Sequence, residues 1–158
     1  MTNATEPIPP GHDRLIPHLT CVHCAEAIEF YKKAFGAEEF HRMLAPDGQR
    51  IMHAALRFGD CLFFVNDDFP EHCGGKSSTP AALGGNSVTI HHYVPDCDAA
   101  IAQAEQAGAK VLMPAADMFW GDRYGIVIDP SGHKWSFATH QKDLSPAEMQ
   151  AAMQRNPC

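Results

Sequence analysis

Residues 18–67 read HLTCVHCAEAIEFYKKAFGAEEFHRMLAPDGQRIMHAALRFGDCLFFVND, and residues 91–140 read HHYVPDCDAAIAQAEQAGAKVLMPAADMFWGDRYGIVIDPSGHKWSFATH. The second stretch lies over the first at a constant offset of 73, without a gap. His18/His91, Cys24/Cys97, Ala27/Ala100, Ile28/Ile101, Ala34/Ala107, Gly48/Gly121, Arg50/Arg123, Gly59/Gly132 and Phe64/Phe137 coincide. Identity alone is modest, but the two stretches also carry the same order of predicted elements. An internal repeat with a common element order points to duplication of one supersecondary unit.

Each copy predicts β-α-β-β-β. In the first, RLIPHLTCV (14–22) alternates as a strand, and Pro17 marks an edge or irregular start. CAEAIEFYKKAFG (24–36) has Ile28, Tyr31 and Phe35 on one helical stripe and Gly36 as a C-terminal stop. AEEFHRML, the turn APDG, RIMHAALRF, the turn GD and CLFFVND follow as three strands. In the second copy SVTIHHYV is a strand and DCDAAIAQAEQAG a helix with Asp96 as its N-cap. KVLMPAADM, DRYGIVID and HKWSFATH complete it. In the last of these Trp135, Phe137 and Thr139 should face the helices, leaving Ser136 and Ala138 on the opposite side. Ser145-Pro146-Ala147-Glu148 is a capping box opening a C-terminal helix.

The expected organisation is an arm over 1–13, a first module over 14–67 and a Gly/Pro/Ser-rich linker over 68–86. A second module follows over 87–140, then a C-terminal helix and tail over 141–158. The fold class is α+β: two tandem βαβββ modules forming a curved mixed sheet around a central cavity, plus the C-terminal helix.

Composition bounds the partners. The 158 residues carry 45% apolar side chains and a net charge of −7, with an isoelectric point near 5.7. This length buries a core without covalent staples. An acidic chain lacks the basic face that nucleic acid or anionic lipid requires, so neither is expected as a partner. No apolar run reaches the ~20 residues of a bilayer span. The first residues lack a signal peptide's charged and apolar regions. A cytoplasmic location follows as the expectation, with the six cysteines reduced.

The segments AIEFYKKAFGAEE, MFWGDRYGIVIDPSGHKWSFATH and DLSPAEM resemble the PhnB-like branch of the vicinal oxygen chelate superfamily. That superfamily holds glyoxalase I, extradiol dioxygenases, fosfomycin-resistance enzymes and bleomycin-binding proteins. The resemblance spans about residues 13–150. It implies two curled sheets enclosing a cavity, and a homodimer.

Metal enzymes of that superfamily place ligands on the first and last strand of each half. By the resemblance and the 73-residue offset, those positions fall on Ile16, Phe63, Thr89 and Ser136. None supplies the imidazole, carboxylate or thiolate that Zn, Ni or Fe prefers. The expectation is therefore a small-molecule binding protein with no metal, no cofactor and no catalytic residue. His18, His53, His91, Trp120, Arg123, Tyr124 and Ser136 would contact the ligand. Aromatic rings and a guanidinium suit a planar or anionic molecule. Four of these also have a structural reading: His18 and His91 as satisfied framework histidines, Trp120 as core, Arg123 paired to Asp122 or Asp129. The alternative function is a metal-dependent lyase, dioxygenase or thiol transferase with its metal moved to His18 and His91, His53 serving as a third ligand. Cys21-Val22-His23-Cys24 reads as a redox or zinc pair or, more simply, as small buried residues where a strand meets a helix N-terminus. That terminus is expected to acidify Cys24.

Overall fold

The computed structural model describes residues 6–155. The first five residues of the expected arm and the last three of the tail, Cys158 among them, lie outside the described residues. The elements are β1 (His18–Cys21), α1 (Cys24–Phe35), β2 (Glu38–Leu44), β3 (Ile51–Phe58), β4 (Cys61–Asp67), α2 (Pro80–Leu83), β5 (Thr89–Tyr93), α3 (Cys97–Gln106), β6 (Lys110–Asp117), β7 (Asp122–Ile128), β8 (Lys134–His140) and α4 (Pro146–Arg155). They form two four-stranded sheets with the orders β1-β4-β3-β2 and β5-β8-β7-β6. The first and last strands of each module pair in parallel, and the other pairs are antiparallel.

The first strand is shorter than its pattern. The carbonyl of Pro17 still accepts from Phe64 N at 2.8 Å. Proline has no N–H to return, and regular pairing begins at His18. Helix α1 starts at His23 in the left-handed region (φ 52°), and its own side chain caps nothing. The buried Asp67 of β4 acts instead, accepting Cys24 N and Ile51 N, each at 2.7 Å. Asp96 caps α3 as its sequence predicts, accepting Ala99 N at 2.9 Å. Ser145 and Glu148 close the capping box before α4. The linker is not featureless: Pro70–His72 forms a 3₁₀ turn, and Thr79 caps the short α2.

The core lies between the two sheets. Tyr31 and Phe35 of α1 meet Trp135 of β8 with ring centroids 5.5 and 4.8 Å apart. Phe63 of β4 reaches the same Trp135 at 5.8 Å, and Phe58 of β3 reaches His92 of β5 at 5.2 Å. α1 packs against α3. Trp135 and Phe137 are buried as their alternation predicts. Burial of such rings supplies most of the driving force for docking the modules.

A buried carboxylate fastens the same seam. Asp129 Oδ2 accepts the Tyr31 hydroxyl at 2.7 Å and Trp135 Nε1 at 2.9 Å. Its Oδ1 accepts His133 N at 2.9 Å. His133 is buried. Its Nε2 lies 2.9 Å from Thr20 O and its Nδ1 3.3 Å from Asn86 Nδ2. It thereby ties the β7–β8 turn to β1 and to the linker.

The duplication is real, but the gapless offset slips. His18 pairs with Phe64, whereas His91 pairs with Ser136. Ala55 pairs with Phe64, whereas Ile126 pairs with Ser136. Phe64 and not Phe63 is therefore the counterpart of Ser136. The β2–β3 loop is longer than the β6–β7 loop, and the β3–β4 turn is shorter than the β7–β8 turn. The two differences nearly cancel in length, which hides the slip in a sequence alignment.

Candidate functional site

Side chains alternate across a strand, and the helix-facing side of each sheet is spent on the core. The opposite faces remain. On the first sheet that face carries His18 of β1, Phe64 of β4, His53 and Arg57 of β3, and His41 of β2. The His53 ring lies 4.6 Å from that of Phe64, 5.7 Å from His18 and 6.4 Å from His41. Burial pushes the His18 imidazole below its ordinary pKa, an effect partly offset by a hydrogen bond from the ring to the Asn66 side chain. Burial, then the charges of His18 and His41, does the same to His53. The shift favours the neutral form of both rings, which can donate and accept a hydrogen bond.

On the second sheet the face carries His91 and Tyr93 of β5, Ser136 of β8, Asp122 and Tyr124 of β7, and Trp120 from the preceding loop. His91 Nδ1 lies 2.9 Å from Ser136 Oγ. Its ring stacks on Tyr124 with centroids 5.9 Å apart and meets Tyr93 edge-on at 4.7 Å. Trp120 stands edge-on to Tyr124 at 5.5 Å. Beneath them Asp122 is buried and accepts Trp120 Nε1 at 3.1 Å, the Tyr93 hydroxyl at 3.2 Å and His140 Nδ1 at 2.8 Å. One carboxylate thus fixes the orientation of three rings. Asp122 and Tyr93 are site residues that sequence reading misses. The only local signal is the position of Asp122 two residues before Tyr124, on the same face.

Arg123 does not join this group. It points to the helix side, where its Nε and Nη2 hold both Asp98 oxygens at 2.7 Å and its Nη1 reaches Asp117 at 3.2 Å. A guanidinium engaged by two carboxylates is not free for a ligand. The expected structural partners, Asp122 and Asp129, are also not the ones it takes. Phe63 likewise faces the core, against Tyr31.

The remaining residues separate into two clusters: His18 with His53, and His91 with Trp120, Tyr124 and Ser136. No ring contact or hydrogen bond connects them among the described residues. The helix-facing sides of the two sheets meet each other, so the opposite faces point apart within one chain. A recess of about 740 Å³ lies at the edge between β1 and β5, bordered by His18, Thr20, Ile90, His133 and linker residues 78–88.

The metal-ligand positions implied by the resemblance do not fit a metal. Ile16 precedes β1, Phe63 is core, Thr89 is a hydroxyl on an edge strand, and Ser136 is buried against His91. Replacing Phe63 by its true counterpart Phe64 still gives no donor. Among the described residues no three His, Cys, Asp or Glu side chains converge closely enough to hold an ion. The five described cysteines are unpaired. Contrary to the expectation for a helix N-terminus, the Cys24 thiol is pushed up, first by its hydrogen bond to Cys21 and then by burial. Cys21 is the thiol drawn down, to about 6, chiefly by that same bond. No helix among the described residues is long and apolar enough to cross a membrane.

Comparison with known proteins agrees with this geometry. A family model, the Glyoxalase/Bleomycin resistance protein/Dioxygenase superfamily, matches residues 15–137. An uncharacterized protein of Mycobacterium tuberculosis is 50% identical over 139 residues, which is 88% of this chain and 81% of that protein. The crystal structure of an Arabidopsis thaliana gene product superposes with a TM-score of 0.64 at 29% identity, over 80% of this chain and 98% of that one. The PhnB protein from Bacillus cereus superposes with a TM-score of 0.61 at 16% identity, over 80% of this chain and 99% of that one.

Proposed function

We propose, from the premise that the chain belongs to the Glyoxalase/Bleomycin resistance protein/Dioxygenase superfamily, that it binds a small planar molecule between two sheet faces without a metal. The observation that carries this reading is the organised ring surface of the second sheet. There a buried carboxylate orients Trp120, Tyr93 and His140, and His91 stacks on Tyr124. Rings fixed in this way suit stacking on a flat ligand. A surface that needed only solubility would not bury a carboxylate to orient them.

Because the two faces point apart, one chain offers two half-sites. A second copy would set the first sheet of one chain against the second sheet of the other. Phe40, Met43, Tyr93 and Leu112 are between 45% and 60% exposed in the single chain, and a homodimer would cover them. The metal-enzyme alternative requires His18 and His91 on one ion, and no observation on these faces favours it.

A thermal-shift screen of flat aromatic compounds, run with and without EDTA, tests the reading. Stabilisation by a bound compound is expected to be the same in both. Protein purified without chelators or tags is expected to hold far less than one Zn, Ni, Mn or Fe per chain. A stoichiometric metal, lost in His18→Ala, would overturn it in favour of the metal enzyme.

A further inference from the structure

Four arginines lie on or beside the strands of the two sheets. Three are spent on carboxylates: Arg42 on Glu39, Arg50 on Asp47 and Glu71, and Arg123 on Asp98 and Asp117. The fourth, Arg57, has no ion pair or hydrogen bond among the described residues, and its Nε is buried without a partner. Its guanidinium carbon stands 5.0 Å from the centroid of the Phe40 ring. A buried charged donor left unmatched is costly, more so than a neutral one. The stack on Phe40 holds the fork rigid and offsets little of that cost.

The position of Arg57 matters more than its isolation. On β3, His53, Ala55 and Arg57 alternate onto one face, the face of the His18–His53–His41 cluster. At ~3.3 Å per residue, Arg57 stands ~7 Å from Ala55 and ~13 Å from His53 along the strand. Ala55 pairs with His41 on one side and Phe64 on the other. Ala55 itself is buried, whereas Arg57 and His53 are half-buried and His41 is exposed, so these three side chains form the accessible part of this face. The only acidic residue on the strands of this face is Glu38, which stands opposite Arg57 in the register yet forms no ion pair with it among the described residues.

We propose that Arg57, stacked on Phe40, is the oxyanion-recognition point of the first sheet, and that the ligand is a planar carboxylate whose flat body extends along the outer face of β3 toward His41 and His53. This deepens the small-molecule reading and rests on it. A guanidinium receives a carboxylate through two parallel N–H···O bonds, which fixes the long axis of a flat ligand relative to β3.

The test compares 2-naphthoate with 2-naphthamide, which is nearly the same shape and carries no charge. Binding is measured by calorimetry to the full chain, to Arg57→Gln and to Glu38→Gln. The wild type is expected to prefer the acid about tenfold, the scale of a charge-assisted hydrogen bond. Arg57→Gln is expected to lose that preference while keeping its affinity for the amide. Glu38→Gln is expected to keep or strengthen the preference, because it removes a competing anion. An amide that binds the wild type as well as the acid does overturns the proposal and leaves small-molecule binding standing. A preference unchanged in Arg57→Gln also overturns it. If neither compound binds the wild type, both this inference and the reading beneath it fail. Should Arg57→Gln not fold, Arg57→Lys carries the test. It keeps the charge without the fork and is expected to retain only part of the preference, and full retention would count against a bidentate site.

Discussion

Asp129→Ala is expected to lower the unfolding free energy by about 4 kcal/mol or more, since it strands three buried donors at ~1–3 kcal/mol each. Those donors are the Tyr31 hydroxyl from the first module and Trp135 Nε1 and His133 N from the second. A typical domain has only ~5–15 kcal/mol in total, so this variant should lose a large share of its stability. Denaturant titration followed by tryptophan fluorescence reads the effect directly through Trp135. Tyr31→Phe removes one donor without stranding the others, and it should cost only about 1–2 kcal/mol. Asp129→Asn keeps one acceptor oxygen and should fall between the two. Equal losses for Tyr31→Phe and Asp129→Ala would mean that Asp129 does not bridge the modules.

The second large effect is expected at Gly125, in the middle of β7 against α3. A β-carbon there would collide with Ile101 Cδ1 of α3. It would also stand 2.9 Å from Met113 O and 3.1 Å from Ala115 N of β6. The isoleucine tip can swing aside, but the backbone atoms of a paired strand cannot. Gly125→Ala should therefore cost ~1–3 kcal/mol, the usual range for overpacking. Adding Ile101→Val should recover the side-chain part and leave the backbone part. Full recovery in the double variant would contradict a close approach of β6 and β7 as the cause. A Gly125→Ala chain as stable as the wild type would contradict the close approach of β6 and β7.

Both effects sit at contacts that the linear pattern does not announce. Element order was legible because the repeat doubles every signal: two helical segments, two sets of turn residues and two sets of alternating strands. The inward turn of Trp135 and Phe137 followed from alternation alone. The mate of Arg123 was not legible. Asp98 lies on α3, and Arg123 reaches it only because the helix crosses β7, a tertiary fact. The cap of α1 was hidden for the same reason, since Asp67 arrives from the far end of the module. Compensating loop lengths concealed the slip between β4 and β8, so Phe63 was matched to Ser136 when Phe64 stands in its place. The site residues were legible as members of strand faces, because a period of two fixes the face. Which way the faces turn depends on where the helices dock. Here the helix-facing sides meet, so His18 and His91 stand on faces that point apart.

A complementation experiment reaches the central claim, that two copies together build the binding site. One variant, His53→Ala with Arg57→Gln, impairs the face of the first sheet. The other, His91→Ala with Tyr124→Ala, impairs that of the second. Each alone, checked to be folded and dimeric, should fail to bind the tightest compound from the thermal-shift screen. Mixed and allowed to exchange subunits, they should regain binding at about one site in four, because random pairing makes half the dimers mixed and each mixed dimer has one intact site. Binding that stays absent in a mixture proven to contain mixed dimers would contradict a site shared between copies, as would full binding by either variant alone.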